Sequence, residues 1–310
     1  MFASTASTGN TELPPMNGHR PSRKPRLIVL IRHGESESNR DKSINQYTPN
    51  HMIPLTTTGW AQARATGAQL LKILNVDDES IVDRLVEKYH VSGGTLPIHG
   101  YARLNHAKDT NVVFYTSPYK RTRQTLKGIL DVFDEYNALN SGVQLPHSQC
   151  YEPEVPRQAG VWGVAHPKEC RRERHYIEYR VKDDPRIREQ DFGNFQETHS
   201  MKELMQKRST YGHFFFRFKE GESAADVYDR VASFQETLYR HFDKQERKPR
   251  DVVVLVTHGI YSRVFLMKWF RWTYEEFESF SNIPNGSMVV MELDETIDRY
   301  VLRTILPKWI

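Results

Sequence analysis

The sequence predicts an α/β fold on a mostly parallel sheet. Uncharged β-branched runs stand at Leu27-Ile28-Val29-Leu30-Ile31, Val112-Val113-Phe114-Tyr115-Thr116 and Val252-Val253-Val254-Leu255-Val256-Thr257. Such runs suit strands covered on both faces, the usual state of parallel strands. Stretches of helical periodicity separate them, an alternation that marks an α/β sheet. Two of the runs lead directly into His-Gly turns, His33-Gly34 and His258-Gly259. Two imidazoles therefore converge on the carboxyl edge of one sheet, where ligands of such sheets collect.

Residues 1–25 are rich in Ser, Thr, Pro, Gly and Asn and are expected to be a disordered tail, with Arg20, Arg23, Lys24 and Arg26 as solubilising or targeting cations. The first strand is placed at 27–31. A first helix follows Thr56, a capping residue, with Ala61, Ala65, Ala68 and Leu71 at helical spacing. A second strand spans 112–116. Ser117-Pro118 then gives a cap and a first-turn proline, and Leu126, Ile129, Leu130 and Phe133 form one apolar face of a helix running to about Tyr136. Ser223-Ala224-Ala225-Asp226 opens a further helix that buries Val227, Val231, Phe234 and Leu238. Strands at 252–257, 288–293 and 300–306 complete the pattern. Two segments, near 75–110 and 138–182, fit no repeating pattern and read as insertions on the active edge; the second carries Lys168, Arg171, Arg172 and Arg174, a solvated face or a lid for anions.

The chain has 310 residues, enough for one large core, and 43 basic against 39 acidic residues leave a net charge of only +4. A dedicated nucleic-acid surface is not expected from that balance. No apolar run is long enough for a membrane span or a secretory segment. The two cysteines, Cys150 and Cys170, offer neither a disulfide framework nor a zinc pattern. A cytoplasmic protein is expected, with the nucleus as a second compartment. Neither a metal nor another cofactor is expected, and protein partners are left open.

The chemistry is concentrated in Arg32-His33-Gly34-Glu35-Ser36-Glu37-Ser38-Asn39. Phosphoryl transfer needs positive charge on the equatorial oxygens and an in-line nucleophile and leaving group. Arg32, Arg121, His258 and the Asn39 amide can supply the charge and the donors. Arg121 falls in the first turn of its helix, so its guanidinium and the helix N-terminus address one anion. His33 can attack phosphorus through a neutral ring nitrogen, and neighbouring guanidiniums favour that neutral form.

These motifs resemble the histidine phosphatase superfamily, the phosphoglycerate mutase-like enzymes, from residue 26 to the C-terminus outside the two charged segments; within it the nearest likeness is to fungal broad-range acid phosphatases. The resemblance extends to Leu55-Thr56-x-x-Gly59-x-x-Gln62-Ala63, Ser117-Pro118-Tyr119-Lys120-Arg121, Arg188-Glu189-Gln190-Asp191-Phe192-Gly193 and the loop Asn282-Ile283-Pro284-Asn285-Gly286-Ser287. It implies a three-layer α/β/α sandwich, a phosphohistidine on His33, and Glu189 as the general acid. Glu35 and Asp191 are the competing carboxyls. Arg32, Asn39, Arg121, His258 and Gly259 are implied to bind substrate, with Thr257 and the 282–287 loop behind them. Phe214, Phe215, Phe216, Tyr211 and Phe218 are expected in the core or pocket wall, and Arg217 is a candidate substrate contact.

Ser38 stands where the mutases place Trp, and the charged segments are foreign to the compact mutase pattern. Both features favour a metal-independent phosphomonoesterase acting on small phosphate esters over a mutase. No Gly-x-x-x-x-Gly-Lys-Ser/Thr loop exists for a kinase-coupled activity. A non-catalytic scaffold would have lost a site residue, and none of Arg32, His33, Asn39, Arg121, Glu189 and His258 is missing.

Overall fold

The computed structural model describes residues 24–74, 79–92, 96–98, 110–141, 177–193, 198–244 and 252–309. In chain order the elements are β1 (Leu27–Arg32), α1 (Glu37–Arg40), α2 (Thr57–Leu74), α3 (Glu79–Lys88), β2 (Thr110–Thr116), α4 (Lys120–Ser141), β3 (Ile177–Asp183), α5 (Thr198–Tyr211), α6 (Ala224–Lys244), β4 (Val252–Thr257), α7 (Gly259–Phe270), α8 (Tyr274–Ser279), β5 (Met288–Asp294) and β6 (Arg299–Leu302). Short 3₁₀ turns lie at Lys42–Gln46, Asn50–Met52 and Pro185–Ile187.

The six strands form one mixed sheet in the order β3-β2-β4-β1-β5-β6. Pairings β3-β2, β2-β4 and β4-β1 are parallel, and β1-β5 and β5-β6 are antiparallel. Alternate residues serve opposite faces, as the strand period of two requires. Leu27, Val29, Ile31, Phe114 and Val254 pack under α2, α3 and α4, with Leu70, Leu71, Phe133 and Tyr136. Ile28, Leu30, Tyr115, Val253 and Leu255 pack under α6, α7 and α8, with Phe234, Tyr261, Phe265 and Phe277. The result is the expected α/β/α sandwich. Helix α7 is apolar nearly all round because it is buried from Gly259 through Met267.

The structure also corrects the reading. Within the expected insertions the described residues carry regular structure: α3 buries Ile81, Val82 and Leu85 in the α2/α4 layer, and β3 is an outer strand of the sheet beside β2, its carboxyl end leading into the segment of Glu189. β3 presents no apolar run, because four of the seven residues in Ile177-Glu178-Tyr179-Arg180-Val181-Lys182-Asp183 are charged; it buries Ile177 and Val181 and leaves Glu178 and Arg180 exposed. The last strand stops at Leu302, and Thr304 bridges instead to Ile98. α4 starts at Lys120 and runs on to Ser141. The start of α6 is as expected: the Ser223 N–H donates to Asp226 Oδ2 at 2.7 Å, and the Asp226 N–H donates to Ser223 Oγ at 3.2 Å. Residues 1–23, both cysteines and the Lys168 to Arg174 cluster lie outside the described residues. Two of the expected solubilising cations are instead structural: Lys24 Nζ pairs with Asp298 Oδ2 at 2.6 Å, and buried Arg26 pairs with Glu292 Oε1 at 3.3 Å. Among the described residues no helix is long and apolar enough to cross a membrane.

Candidate active site

β2, β4 and β1 are neighbours, so the turns that follow them stand side by side. The main-chain ladder runs past the strand ends and sets those turns. The Ser117 N–H donates to Val256 O at 3.1 Å, and the His33 N–H donates to Thr257 O at 3.0 Å. The loop before β5 locks the signature from the other side. Arg32 N–H donates to Ser287 O, Gly286 N–H lies 3.1 Å from both Arg32 O and His33 O, and Asn285 Nδ2 donates to His33 O at 3.0 Å. Gly286 holds φ at 70°, a left-handed value that favours glycine. Gly34 and Gly59 meet so closely that a Cβ on either would run into main chain: that of Gly59 from Gly34, that of Glu35 from Gly59. This contact explains why the first-helix pattern needs its glycine.

His33 is buried, and its two ring nitrogens have distinct partners. Nδ1 lies 2.7 Å from Gly34 O, so it carries the proton and donates. Nε2 then presents its lone pair, and Arg121 Nε donates to it at 3.2 Å. Burial, and after it the charges of Arg121 and Arg32, hold His33 well below the usual histidine value of 6.5. The ring is therefore neutral, with an unprotonated Nε2 that faces Arg121.

His258 stands edge-on to His33, with ring centroids 5.2 Å apart. Its Nε2 is 2.9 Å from Ser117 Oγ, and its Nδ1 is buried without a hydrogen-bond partner. The Ser117 hydroxyl has no other acceptor among its contacts, so it donates to Nε2 and leaves the ring proton on Nδ1. Burial, then Arg121 and His33, depress this histidine too. Arg32 Nη1 donates to Ile283 O at 2.6 Å, whereas its buried Nε has no partner. Two orphaned buried donors, Arg32 Nε and His258 Nδ1, thus share the site with His33 Nε2. Unsatisfied buried donors are costly, and an anion at this place would satisfy them.

Arg121 is fixed by Asn50: Nη1 donates to Asn50 O at 2.7 Å and to Asn50 Oδ1 at 2.9 Å. Burial, opposed by Glu189 and Tyr119, pushes its guanidinium down to about 10, so it stays charged at neutral pH. Thr125, one turn on, receives the Gly34 N–H at 3.0 Å. Gly259 opens α7, and a Cβ there would stand 3.4 Å from Arg32 Nε. Asn39 lies at the exposed rim; its Oδ1 takes bonds from the Ser36 N–H and from Asn285 Nδ2, which leaves its NH₂ for a ligand.

Glu189 is buried at the start of α7, where its Oε1 accepts from Gln190 N at 3.1 Å and from Tyr261 N at 3.4 Å. It lies within electrostatic reach of both Arg32 and Arg121. The competing carboxyls are engaged elsewhere. Thr56 Oγ1 donates to Glu35 Oε1 at 2.7 Å, and exposed Asp191 accepts from Gly193 N. Thr257 Oγ1 donates to Ile187 O. Arg217, a candidate substrate contact from sequence, instead bonds Asp226 and Gly221 O. Phe214 and Phe218 are core residues, whereas Phe215 and Tyr211 are exposed. Asn50, Thr125 and the Ser117 hydroxyl were not singled out from the sequence as site residues, for their partners are remote in the chain and no motif announces them.

The profile of the histidine phosphatase superfamily (branch 1) matches residues 28–80 and 170–304. The broad-range acid phosphatase DET1 of Saccharomyces cerevisiae is 64% identical over 308 residues, covering 92% of this chain and 91% of that one. The phosphoglycerate mutase-like protein AT74H of Arabidopsis thaliana is 36% identical, over 87% of this chain and 74% of its own length. A mycobacterial glucosyl-3-phosphoglycerate phosphatase structure shares the fold at 15% identity, with a TM-score of 0.51 over 92% of this chain and 100% of that one. The chain belongs to the histidine phosphatase superfamily.

Proposed function

We propose that the chain is a broad-range acid phosphatase, a metal-independent phosphomonoesterase whose residues 26–310 form one catalytic domain. The observation that most supports this reading is the His33 ring, with Nδ1–H spent on Gly34 O and the Nε2 lone pair facing Arg121. The 64% identity to an acid phosphatase points the same way.

The steps follow from the positions. The phosphoryl oxygens are held by Arg32 Nε, His258 Nδ1–H, Arg121 and the Asn39 amide. Arg121 Nε transfers its hydrogen bond from His33 Nε2 to a phosphoryl oxygen, the freed Nε2 pair forms the P–N bond as the ester P–O bond breaks, and the leaving oxygen takes the Glu189 proton. Nδ1–H remains on Gly34 O and stabilises the charge the ring gains. Water then attacks phosphorus and gives a proton to the Glu189 carboxylate; the P–N bond breaks, and phosphate and neutral His33 are restored. The low proton affinity of both histidines keeps them neutral into mild acid, where a carboxyl proton is most available, and this supports an acidic optimum. Cytoplasm, with the nucleus second, is the compartment carried in this proposal.

Rapid quench with a ³²P-labelled ester in chelator tests it. Label that is stable to base, labile to acid and absent from His33→Ala is expected. Base-labile label, or activity lost on chelation, would overturn the corresponding part.

A further inference from the structure

We propose that Arg230 and Glu222 are positioning residues for the acid–base step, holding segment 186–191 so that the Glu189 carboxyl faces the leaving oxygen. The inference rests on the reading of Glu189 as the general acid.

Arg230 lies on α6 and reaches under the segment. All five of its N–H donors are spent there. Nη1 donates to Arg186 O and Arg188 O, each at 2.8 Å, and Nη2 donates to Glu189 O at 3.1 Å. Nε and Nη2 grip Glu222 Oε1 and Oε2 at 3.1 and 2.9 Å. Glu222 is the second half of the clamp. Its Oε2 also accepts the Asp191 N–H at 3.0 Å, its Oε1 accepts Arg188 Nη2 at 2.5 Å, and its main-chain oxygen accepts Gln190 Nε2 at 2.7 Å. Glu222 N–H closes the ring on Asp191 O at 2.8 Å. The segment has no strand or α-helix of its own beyond the Pro185–Ile187 turn, so these bonds, together with those from Thr257 Oγ1 to Ile187 O and from Arg208 Nη2 to Gln190 Oε1, set its path.

A guanidinium can span three carbonyls and a carboxylate because it is a planar fork; an ammonium is a point and cannot. A carboxyl displaced by about 1 Å from a leaving oxygen loses much of its value as an acid. An aryl leaving group needs little of that proton, and an alkyl one needs it fully. Loss of the clamp therefore carries a leaving-group signature that general loosening of the fold does not.

The test compares Arg230→Lys, Glu222→Gln, Glu189→Gln and each clamp variant combined with Glu189→Gln, on glycerol phosphate and on p-nitrophenyl phosphate. Glu222→Gln keeps the side-chain shape and serves if Arg230→Lys fails to fold, as judged by thermal melting. Each clamp variant should lower kcat/KM, which reports the step up to leaving-group departure, on the alkyl ester by about 10- to 100-fold and on the aryl ester by less than about 3-fold. Combined with Glu189→Gln it should add nothing on the alkyl ester beyond about 3-fold. Equal losses on both esters, or losses that multiply in the combined variant, would overturn the positioning role while Glu189→Gln still shows the signature. If Glu189→Gln itself lacks the signature, the general-acid reading falls and the positioning role with it.

Discussion

His33 and His258 stand at the ends of two adjacent strands in the middle of the sheet, and main-chain ladder bonds that continue past those strands place them. Glu189 stands beyond β3, an outer strand, in a segment tied down by the side chains of Arg230 and Glu222. The histidine half is built by backbone and closed over by a second loop; the carboxyl half hangs on a side-chain clamp. The difference teaches where each half is vulnerable. On the proposed clamp, a substitution of one side chain on α6 is expected to disturb Glu189 more than it disturbs His33, whose turn is bonded through the main chain to Thr257.

The sharpest way to test the histidine half is to empty it. His33→Ala should cost about 10⁴-fold or more in kcat, because the charges around it cannot replace a nucleophile, while thermal melting shows a folded protein. Turnover near that of wild type would end the phosphohistidine reading. Arg121→Ala comes next, with an expected loss of about 10² to 10³ in kcat, since it removes a donor aimed at developing charge. Lysine should rescue only part, for it cannot reach His33 Nε2 and Asn50 together. Near-normal kinetics for Arg121→Ala would mean that the Asn50 clamp serves the fold alone.

A smaller effect separates placement by backbone from placement by side chain within the histidine half. Ser117→Ala leaves the ladder bond of its main chain and removes only the hydroxyl on His258 Nε2. The expected loss is about 10-fold in kcat, with ¹⁵N shifts showing a mixed His258 tautomer, and Ser117→Thr should restore both. An unchanged tautomer would show that the ring is set without Ser117.

The last effect concerns stability and marks the same half. Both histidines bind protons far less readily when folded than the ordinary 6.5. As pH falls through that value, the unfolded chain takes up protons that the folded chain refuses, so stability drops toward acid. The limit is about 1.4 kcal/mol per pH unit for each histidine, and the loss levels off below the folded-state values. Denaturant melts between pH 7.5 and 5 should show this slope, and His258→Gln should lessen it. A slope of the opposite sign would contradict neutral buried rings.

Much of the fold was legible because its signals are local. The runs at β1, β2 and β4 are uncharged since both faces are covered, and the Ser223/Asp226 cap lies within one turn. β3 was hidden because an outer strand tolerates Glu178, Arg180 and Lys182, which erase the apolar run. Of the candidate site, Arg32, His33, Arg121, Glu189 and His258 were legible as motif residues, and the structure brings all of them to one edge. Asn50, Thr125, Glu222 and Arg230 were not, since each acts through bonds to residues far along the chain.

By itself the sequence determined which strands are buried, which histidines end them and which arginine opens a helix beside them, for those are properties of short stretches. Only the tertiary structure decided what each of those groups is free to do. The proton position on His258 depends on a hydroxyl 141 residues away, the Arg121 fork on a turn 71 residues away, and the Glu189 segment on a guanidinium 41 residues away. Hydrogen bonds at such separations exist only after the sheet has aligned its strand ends, because the chain alone has no means of holding those partners within hydrogen-bond distance of one another.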